Sequence, residues 1–406
     1  MQVSVSRPTV VVIIPFFNGA KWVERAIKSV VSQTVPPDEF VIVNDGSKPE
    51  ERAALDPLSA KYGFRILDKK NGGQGSARNA GVAATTSEFI SLLDQDDFYL
   101  PHHIEDLASI LPESDLRLGY VYADICEADG DGNIINTNML MAQTDAGMHP
   151  KRGHIVNILR NDLFVLPSAS LIRRSAFEEV GGFDEQFMGY EDDDLFLRMF
   201  RAGYTNYFLD KPVTVWCMHT GSTSWSIKMS RSRFKYFKKL ASIYVDDDFK
   251  KIYFMRDCLI PRFENSFIDE ATKACEESNP DAPEYLAMLR EYSEIVSSNS
   301  EVDDEYKKKV RRIICEITKA PLREEDLGKF QKSLHLTYKS TSWRVSKPLR
   351  LIVNKISGRP VDPPIPFNDD FAHDVFQMVR RSMSWRTTAL LRLVKILTRA
   401  GAREAI

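Results

Sequence analysis

Four short apolar runs limit what this chain can fold into. Val10 to Ile14, Glu39 to Asn44, Arg65 to Leu67 and Glu88 to Leu93 are rich in Val, Ile, Leu or Phe. They are too short for helices and read as strands buried on both faces. Helix-like segments separate them. Between Gly19 and Gln33, Val23, Ala26, Ile27, Val30 and Val31 recur at i, i+3, i+4, i+7 and i+8, which is one apolar face. Ser76 to Ala84 reads as a shorter helix after the glycine-rich Asn71-Gly72-Gly73-Gln74-Gly75. Strands that alternate with helices pair in parallel through right-handed crossovers. The predicted class is therefore α/β, a Rossmann-like, mostly parallel sheet flanked by helices.

Such sheets bind ligands outside the carboxyl ends of their strands. Three informative segments fall there: Pro15-Phe16-Phe17-Asn18, Asn44-Asp45-Gly46-Ser47 and Asp94-Gln95-Asp96-Asp97. The last places three carboxylates within four residues. A divalent cation relieves their repulsion, and Mg2+ or Mn2+ suits one or two carboxylates completed by substrate phosphates. In an extended segment Asp94 and Asp96 point to one side. Asp97 points elsewhere and is placed to hold a neighbouring loop. An acidic cap on the helix that begins near Pro101 explains the same residues equally well. Phe17 offers a ring to a nucleobase or to the core. Asp45 offers an acceptor to a base or ribose, or closes an Asp-Gly-Ser turn. The glycine-rich stretch is neither a Walker loop nor a dinucleotide fingerprint, since Arg78 stands where the fingerprint needs glycine. It still lets backbone approach a ligand, with Arg78 near negative charge.

A second acidic cluster, Glu191 to Asp194, opens an apolar helix. The helix dipole there favours ionised carboxylates, as a general base for a hydroxyl requires. Helix capping accounts for one or two of these acids. His219, Ser222 and Ser224 follow the strand-like Val213 to Trp216. Their imidazole and hydroxyls suit a diphosphate or a metal, and a lone His equally serves packing.

The formal net charge of -3 gives no sign of nucleic-acid binding. Five cysteines without a CxxC pair fit reduced thiols in the cytoplasm. No signal peptide is visible, and no stretch of ~18 uncharged apolar residues calls for a transmembrane helix. From Arg231 to Thr341 the pattern is helical and charged. The expected organisation is a nucleotide-type domain over 1–228, a helical domain over 229–341 and a basic amphipathic segment over 342–406. In that last segment Ser342-Trp343-Arg344 is echoed by Ser384-Trp385-Arg386. Leu390, Leu393, Val394 and Leu397 share one helical face there, and Arg392, Lys395 and Arg399 another. Such a helix suits an anionic membrane surface, an oligomer contact or plain packing on the core. The expected location is cytoplasmic, with a peripheral site on the inner face of the membrane open to this tail.

Taken in order, these motifs resemble the family 2 inverting glycosyltransferases of the GT-A fold. The matching stretches are Ile14 to Asn18, Val43 to Ser47, Asn71 to Asn79, Leu93 to Asp97 with Pro101, and Gly181 to Asp184 with Glu191 to Asp194. Each is weak alone, and five in order are specific. They cover roughly residues 9–225, with a C-terminal helical extension beyond. One departure is Phe17, where the family often carries Tyr, which removes a hydroxyl. The Ser-Trp-Arg segments are also similar to those near the C-termini of some bacterial envelope-polysaccharide glycosyltransferases.

The resemblance implies a metal-dependent, inverting transfer from a nucleoside-diphosphate sugar, a UDP-sugar first of all. The acceptor implied is a hydroxyl of a glycan or lipid-linked glycan, in synthesis of bacterial cell-surface polysaccharide. Pro15, Phe17, Asn18, Asp45, Arg78 and Asp94 are then nucleotide-binding. Asp96 is the principal ligand of Mn2+ or Mg2+, with Asp94 and His219 beside it. Ser222 and Ser224 hold the diphosphate. Asp192 is the catalytic base, with Glu191 next to it. Two rival functions are a sugar nucleotidyltransferase and a non-catalytic subunit of a polysaccharide assembly complex. The first wants a basic triphosphate loop after the first strand, where this chain has Pro15 to Asn18. The second is expected to have lost its acids.

Overall fold

The computed structural model describes residues 7–140, 155–162, 165–219 and 226–320, with Lys332, Leu336 and Tyr338. Two compact units divide after Glu264. The first is built on a nine-stranded sheet. Strand β1 (Val10–Phe16) is buried along its whole length. It pairs in parallel with β2 (Glu39–Asp45) on one side and β4 (Phe89–Leu92) on the other. Strand β3 (Arg65–Lys69) extends the parallel half beyond β2. The chain thus leaves β1 in one direction, builds β2 and β3, and returns to β1's other edge as β4. That reversal is a topological switch point, where a crevice opens at the strand ends.

The predicted strands are all present, and the first four are parallel as expected. Beyond β4 the sheet is mixed. β4 pairs antiparallel with β8 (Ser170–Arg173), which pairs antiparallel with β6 (Leu118–Asp129). β6 runs parallel to the long β9 (Thr205–Met218), and β9 pairs antiparallel with the short β5 (Phe98–Tyr99). A hairpin strand, β7 (Ile134–Asn136), pairs with β6.

Helix α1 (Ala20–Val31) buries Val23, Ala26, Ile27 and Val30, as its spacing predicts. Val31 is the exception, 42% exposed. At eight residues from Val23 it lies some 80° around the helix, off the end of the stripe. Short helices α2 (Pro49–Ala53) and α3 (Leu55–Tyr62) precede β3. Helix α4 (Gln74–Ala83) follows Gly73, whose φ of 90° sets the entry angle. Its Gly81 lies against β1 and β2, where a Cβ would sit 2.5 Å from Ile13 Cγ2. Next come α5 (His103–Ser109), α6 (Ile155–Arg160), α7 (Arg174–Glu179) and α8 (Glu191–Arg201). After β9 the described elements are helical: α9 (Ile227–Ile243), α10 (Ile260–Glu276), α11 (Ala282–Ser298) and α12 (Asp304–Thr318).

In the second unit Tyr292 packs on Phe267 and hydrogen-bonds Tyr306 at 2.8 Å, fastening α11 to α12. Asp303 caps α12 by accepting from the backbone N–H groups of Glu305 and Tyr306. Among the described residues no helix is long and apolar enough to cross a membrane. The repeated Ser-Trp-Arg segments and the basic helix expected within 342–406 lie outside the described residues.

A buried polar chain ties the two halves of the sheet. His103 Nε2 lies 3.0 Å from Ser91 Oγ in β4, and its Nδ1 lies 3.0 Å from Thr214 Oγ1 in β9. Its ring stacks on Tyr99 of β5, whose hydroxyl meets Ser91 Oγ at 2.7 Å. Burial lowers the His103 pKa to about 3, so the native ring is neutral. The unfolded chain binds a proton below pH ~6.5 and the native chain does not until far lower. His103 should therefore cost about 1.4 kcal/mol of stability per pH unit as pH falls from ~6.5 toward 4. Urea unfolding of His103→Gln across that range should show a flatter acid limb than wild type, and parallel limbs would remove His103 from this role.

Candidate active site

The crevice at the switch point is assembled by side chains that stitch adjacent strand ends. After β1, Asn18 adopts a left-handed conformation (φ 50°), which Asn tolerates better than most residues. Its N–H donates to Ser47 Oγ at 3.0 Å, and its Oδ1 accepts from Lys48 N at 2.9 Å. Gln95 reaches back from the acidic run to the Phe17 backbone, accepting from its N–H (2.9 Å) and donating to its carbonyl (3.2 Å). Phe17 is thereby held with 47% of its surface exposed. Pro15 lies inside the sheet, opposite Val43.

Asp45, at the end of β2, is buried. Its Oδ1 accepts from Lys69 Nζ (2.6 Å) and Gly72 N (2.9 Å), and its Oδ2 from Gly73 N (2.8 Å). Asp45 thus anchors the glycine-rich loop, and Gly72 has no room for a side chain. A Cβ there would lie 2.7 Å from Ser76 Oγ.

Arg78 on α4 is buried and joins the two acidic clusters. Its Nη2 donates to Asp94 Oδ1 at 2.7 Å and its Nη1 to Glu191 Oε1 at 3.0 Å. Its guanidinium lies over the Phe183 ring, 5.4 Å from the centroid. Burial works against the Arg78 charge, but Asp94 and Glu191 more than offset it, and the pKa stays raised. Gln74 Nε2 adds a second donor to Asp94, at 2.5 Å. The Arg78 Nε is buried and makes no hydrogen bond.

The acidic run divides its work residue by residue. Asp94 faces Arg78 and Gln74. Asp97 is buried and its Oδ1 accepts from Cys217 N at 2.8 Å, holding the end of β9. Burial, then Asp96 and Asp94, push the Asp97 carboxyl well above its usual range. Asp96 Oδ2 lies 2.7 Å from His219 Nε2. Its carboxyl is also pushed up, first by burial and then by Asp94. Two groups that the sequence reading did not single out complete this corner. Trp22 stacks on the His219 ring with centroids 4.7 Å apart, and Arg25 Nη2 donates to the Asp96 carbonyl at 2.7 Å. The available signal was a Trp and an Arg three residues apart on the flank of α1, off its apolar stripe.

Asp94, Asp96 and His219 offer oxygen and nitrogen donors of the kind Mn2+ accepts. Among the described residues no group of three such side chains is close enough to cage an ion. One or two carboxylates completed by substrate oxygens is a donor set that Mg2+ or Mn2+ accepts. Ser222 and Ser224 lie outside the described residues.

The second cluster begins at α8. Tyr190 precedes it in the left-handed region (φ 65°), held by Arg233 Nε on its hydroxyl at 2.9 Å. Glu191 is buried, with Oε1 on Arg78 and Oε2 accepting from Gly189 N at 2.8 Å. Asp193 pairs with Arg262 at 2.9 Å. Asp194 pairs with Arg198 at 2.8 Å and with Lys239 at 2.6 Å. Asp192 differs from the other three: among the described residues its carboxylate forms no ion pair and accepts one hydrogen bond, from the N–H of Asp193 at 3.0 Å. Burial, then Glu191 and Asp193, push its pKa well above 3.8. The structure thus gathers Asp94, Arg78 and Glu191 on one guanidinium and brings Asp96 to His219.

Residues 11–181 match the profile described as Glycosyl transferase family 2. Residues 168–221 match that described as the N-terminal domain of galactosyltransferase. The chain is 29% identical over 222 residues to an uncharacterized glycosyltransferase of Rickettsia prowazekii, covering 53% of this chain and 65% of that protein. It is 31% identical over 201 residues to one of Rickettsia conorii, covering 47% of this chain and 31% of that protein. The chain therefore spans less than two thirds of the length of these relatives. Among solved structures, S. aureus TarS gives a TM-score of 0.49 at 15% identity, over 75% of this chain and 52% of that one. A mannosyltransferase from Pyrobaculum calidifontis, solved with GDP-Man and Mn2+, gives 0.48 at 17% identity, over 73% and 77%.

Removing the Arg78 charge should be costly because, among the described residues, Glu191 pairs with no other cation. Loss of one partner from a buried pair costs about 3–5 kcal/mol. Arg78→Gln should lower urea stability by roughly that much, and Arg78→Lys by less, since an ammonium reaches one of the two acids. A wild-type midpoint for Arg78→Gln would show that the bridge carries no stability.

Proposed function

Since residues 11–181 of the chain are a glycosyltransferase family 2 domain, we propose an inverting transfer of a sugar from a nucleoside-diphosphate donor, with Asp192 as the base. One observation carries this reading. Of the four acids that open α8, three form ion pairs with Arg78, Arg262, Arg198 and Lys239, and Asp192 forms none among the described residues, feeling Arg78 only from a distance. A cluster built only to cap a helix has no reason to set one carboxylate apart from the ion pairs of the other three. Its raised pKa also suits a general base, which works best when matched to the working pH. A single available carboxylate fits one displacement: Asp192 takes the proton of an acceptor hydroxyl as that oxygen attacks the anomeric carbon from the face opposite the leaving diphosphate. Glu191, fixed by Arg78 and Gly189, positions the first turn of α8.

On the donor side Phe17 offers an exposed ring for base stacking, flanked by Pro15 and Asn18. Asp45 keeps one lone-pair position on Oδ2 for a base N–H, because three of about four are taken. Asp94 faces the ribose, with Arg78 behind it as the counter-charge. Asp96, Asp94 and His219 are the residues to hold Mn2+ or Mg2+, with Trp22 fixing the imidazole. When bound, such a cation supplies Lewis-acid stabilisation of the departing diphosphate. Ser222 and Ser224 are proposed for the same diphosphate. The acceptor is a hydroxyl of a glycan or lipid-linked glycan, and a cell-surface polysaccharide is the product class we favour. A UDP-sugar is the first donor to try.

General base assistance contributes roughly 10²–10⁴-fold. Asp192→Asn should lose at least that lower factor in kcat while still binding donor, and near-normal transfer would remove Asp192 from the role. The pH profile follows from the sign of its shift. The base must be ionised, so activity rises with pH, and the acid limb should lie above the 3.8 of an ordinary aspartate. For the donor side, a thermal-shift series of nucleotide sugars with Mn2+ should raise Tm in wild type, as ligand linkage requires. Asp96→Ala should abolish the Mn2+-dependent part of that shift. No shift with any nucleotide sugar would overturn the transferase reading.

A further inference from the structure

Among the described residues the Asp192 carboxylate accepts one hydrogen bond, from the N–H of its neighbour Asp193 at 3.0 Å. Whatever fixes Asp193 therefore also sets the direction of the Asp192 carboxylate. A residue sixty-nine positions away does so. Arg262 stands in the first turn of α10, still within the first unit. Its Nη2 donates to Asp193 Oδ1 at 2.9 Å, and its Nη1 to the Ile158 carbonyl of α6 at 3.3 Å. Its guanidinium lies over the Tyr236 ring of α9 and over Phe263, 5.4 and 5.3 Å from the centroids. The pair is withdrawn from water, with the Arg262 side chain 5% exposed and that of Asp193 12%. α6, α9 and α10 thus hold one guanidinium against the residue that follows the proposed base.

Stability alone is a weak reason for such a pair. Two charges lose their hydration on burial, and apolar side chains of the same volume do as well or better. Tyr236 and Phe263 would pack on an apolar residue at 262 just as they pack on the guanidinium. Capping does not call for Arg262 either, because the dipole at the start of α8 already favours an acid there. What a planar guanidinium adds is direction, since its donors sit in a rigid fork. One arm is spent on the backbone of α6 and one on Asp193.

Charge acts at the same place. Asp192 is faced by Glu191 and Asp193 from its own helix and by Arg78 from α4. Arg262 is faced by Asp193 first, then by Tyr236, Asp162 and Tyr190. Asp193 pushes the Asp192 carboxyl up, and Arg262 sits on that same Asp193 charge.

We propose that Arg262 is a positioning residue for the transfer, an assignment that rests on the transferase reading: anchored on α6 and α9, it fixes Asp193 and, through the Asp193 N–H, aims the Asp192 carboxylate at the acceptor hydroxyl. The test compares Arg262→Gln, Arg262→Lys, Asp193→Asn and the double variant Arg262→Gln/Asp193→Asn. Arg198→Gln is the control, because it removes an ion pair to Asp194 on the same helix without touching Asp193. Activity is read as UDP release from UDP-glucose and UDP-N-acetylglucosamine with Mn2+.

Arg262→Gln should lower kcat by about 10-fold to 100-fold with donor KM near wild type, as a misaimed base requires. Its acid limb should rise by roughly one pH unit, because Asp193 has lost that cation. Asp193→Asn should move the limb down by a similar amount, and the double variant should bring it back toward wild type. Arg262→Lys keeps the charge but not the fork, so its kcat should fall between, with the limb in place. Arg198→Gln should lose stability and leave the limb unmoved. Acid limbs that stay at the wild-type position in Arg262→Gln and Asp193→Asn would reduce the pair to a structural one and overturn the proposal. If Arg262→Gln does not fold, Arg262→Lys decides: a lower kcat at unchanged KM supports the role, and a wild-type kcat removes it.

Urea unfolding from pH ~4 to ~8, for each protein and its Asp192→Asn counterpart, reads the same carboxyl without substrate. A carboxyl whose native pKa is raised destabilises the fold once ionised, so the difference between the two curves grows with pH and levels off at the native pKa. That levelling point should rise in Arg262→Gln and fall in Asp193→Asn. A wild type that hydrolyses no nucleotide sugar, while the levelling point still moves as stated, would sink the transferase reading and leave Arg262 as the residue that governs Asp192.

Discussion

The buried guanidinium of Arg78 is the interaction on which the rest of the site depends. It projects from α4 between the end of β4 and the start of α8, two elements about one hundred residues apart in sequence. Asp94 and Glu191 each put a carboxylate on it. Without a shared cation these two acids would repel across a space from which most water is excluded, where charge interactions are strong. With it, the acidic strand end and the acidic helix start become one electrostatic unit. The local sequence follows from that need. Gly72 and Gly73 let the loop before α4 tuck under Asp45, and this loop sets where α4 begins and where Arg78 projects.

Around that centre each acid has its own environment. Asp97 is buried against β9 and serves the fold. Asp96 faces an imidazole held by a stacked indole. Asp193 and Asp194 are bound to cations from α8 itself, from α9 and from Arg262. Asp192 forms no ion pair among the described residues, and burial beside Glu191 and Asp193 raises its pKa. The same residue type thus does four different jobs within two short runs, because burial and counterions differ between neighbouring positions.

Much of the fold was legible in the sequence. The runs beginning at Val10, Glu39, Arg65 and Glu88 are all strands, and the stripe on α1 is the face it buries. Apolar periodicity reports burial, and burial is what organises the first half of the chain. The mixed half of the sheet was not legible. β6 and β9 run parallel without being adjacent in sequence, and β8 enters between β4 and β6 in the opposite direction. Pairing across such separations leaves no periodic trace, because strand direction is set by connections and packing. Val31 marks a finer limit: a residue can match the apolar spacing and still lie past the edge of the buried stripe.

By itself the sequence determined that acids, glycines and an aromatic residue would gather at the carboxyl ends of parallel strands. Short β-branched runs with helices between them admit little else. Only the tertiary structure decided which groups are paired. Arg78 was legible as a cation near negative charge, but its two partners lie sixteen and one hundred and thirteen residues away. The pairings of Trp22 with His219 and of Arg25 with Asp96 were not legible, since neither residue lies near its partner in sequence. Charge and residue type are local properties that a sequence displays. Neutralisation is a property of distance and burial, and it exists only once the chain has brought remote side chains within hydrogen-bonding reach.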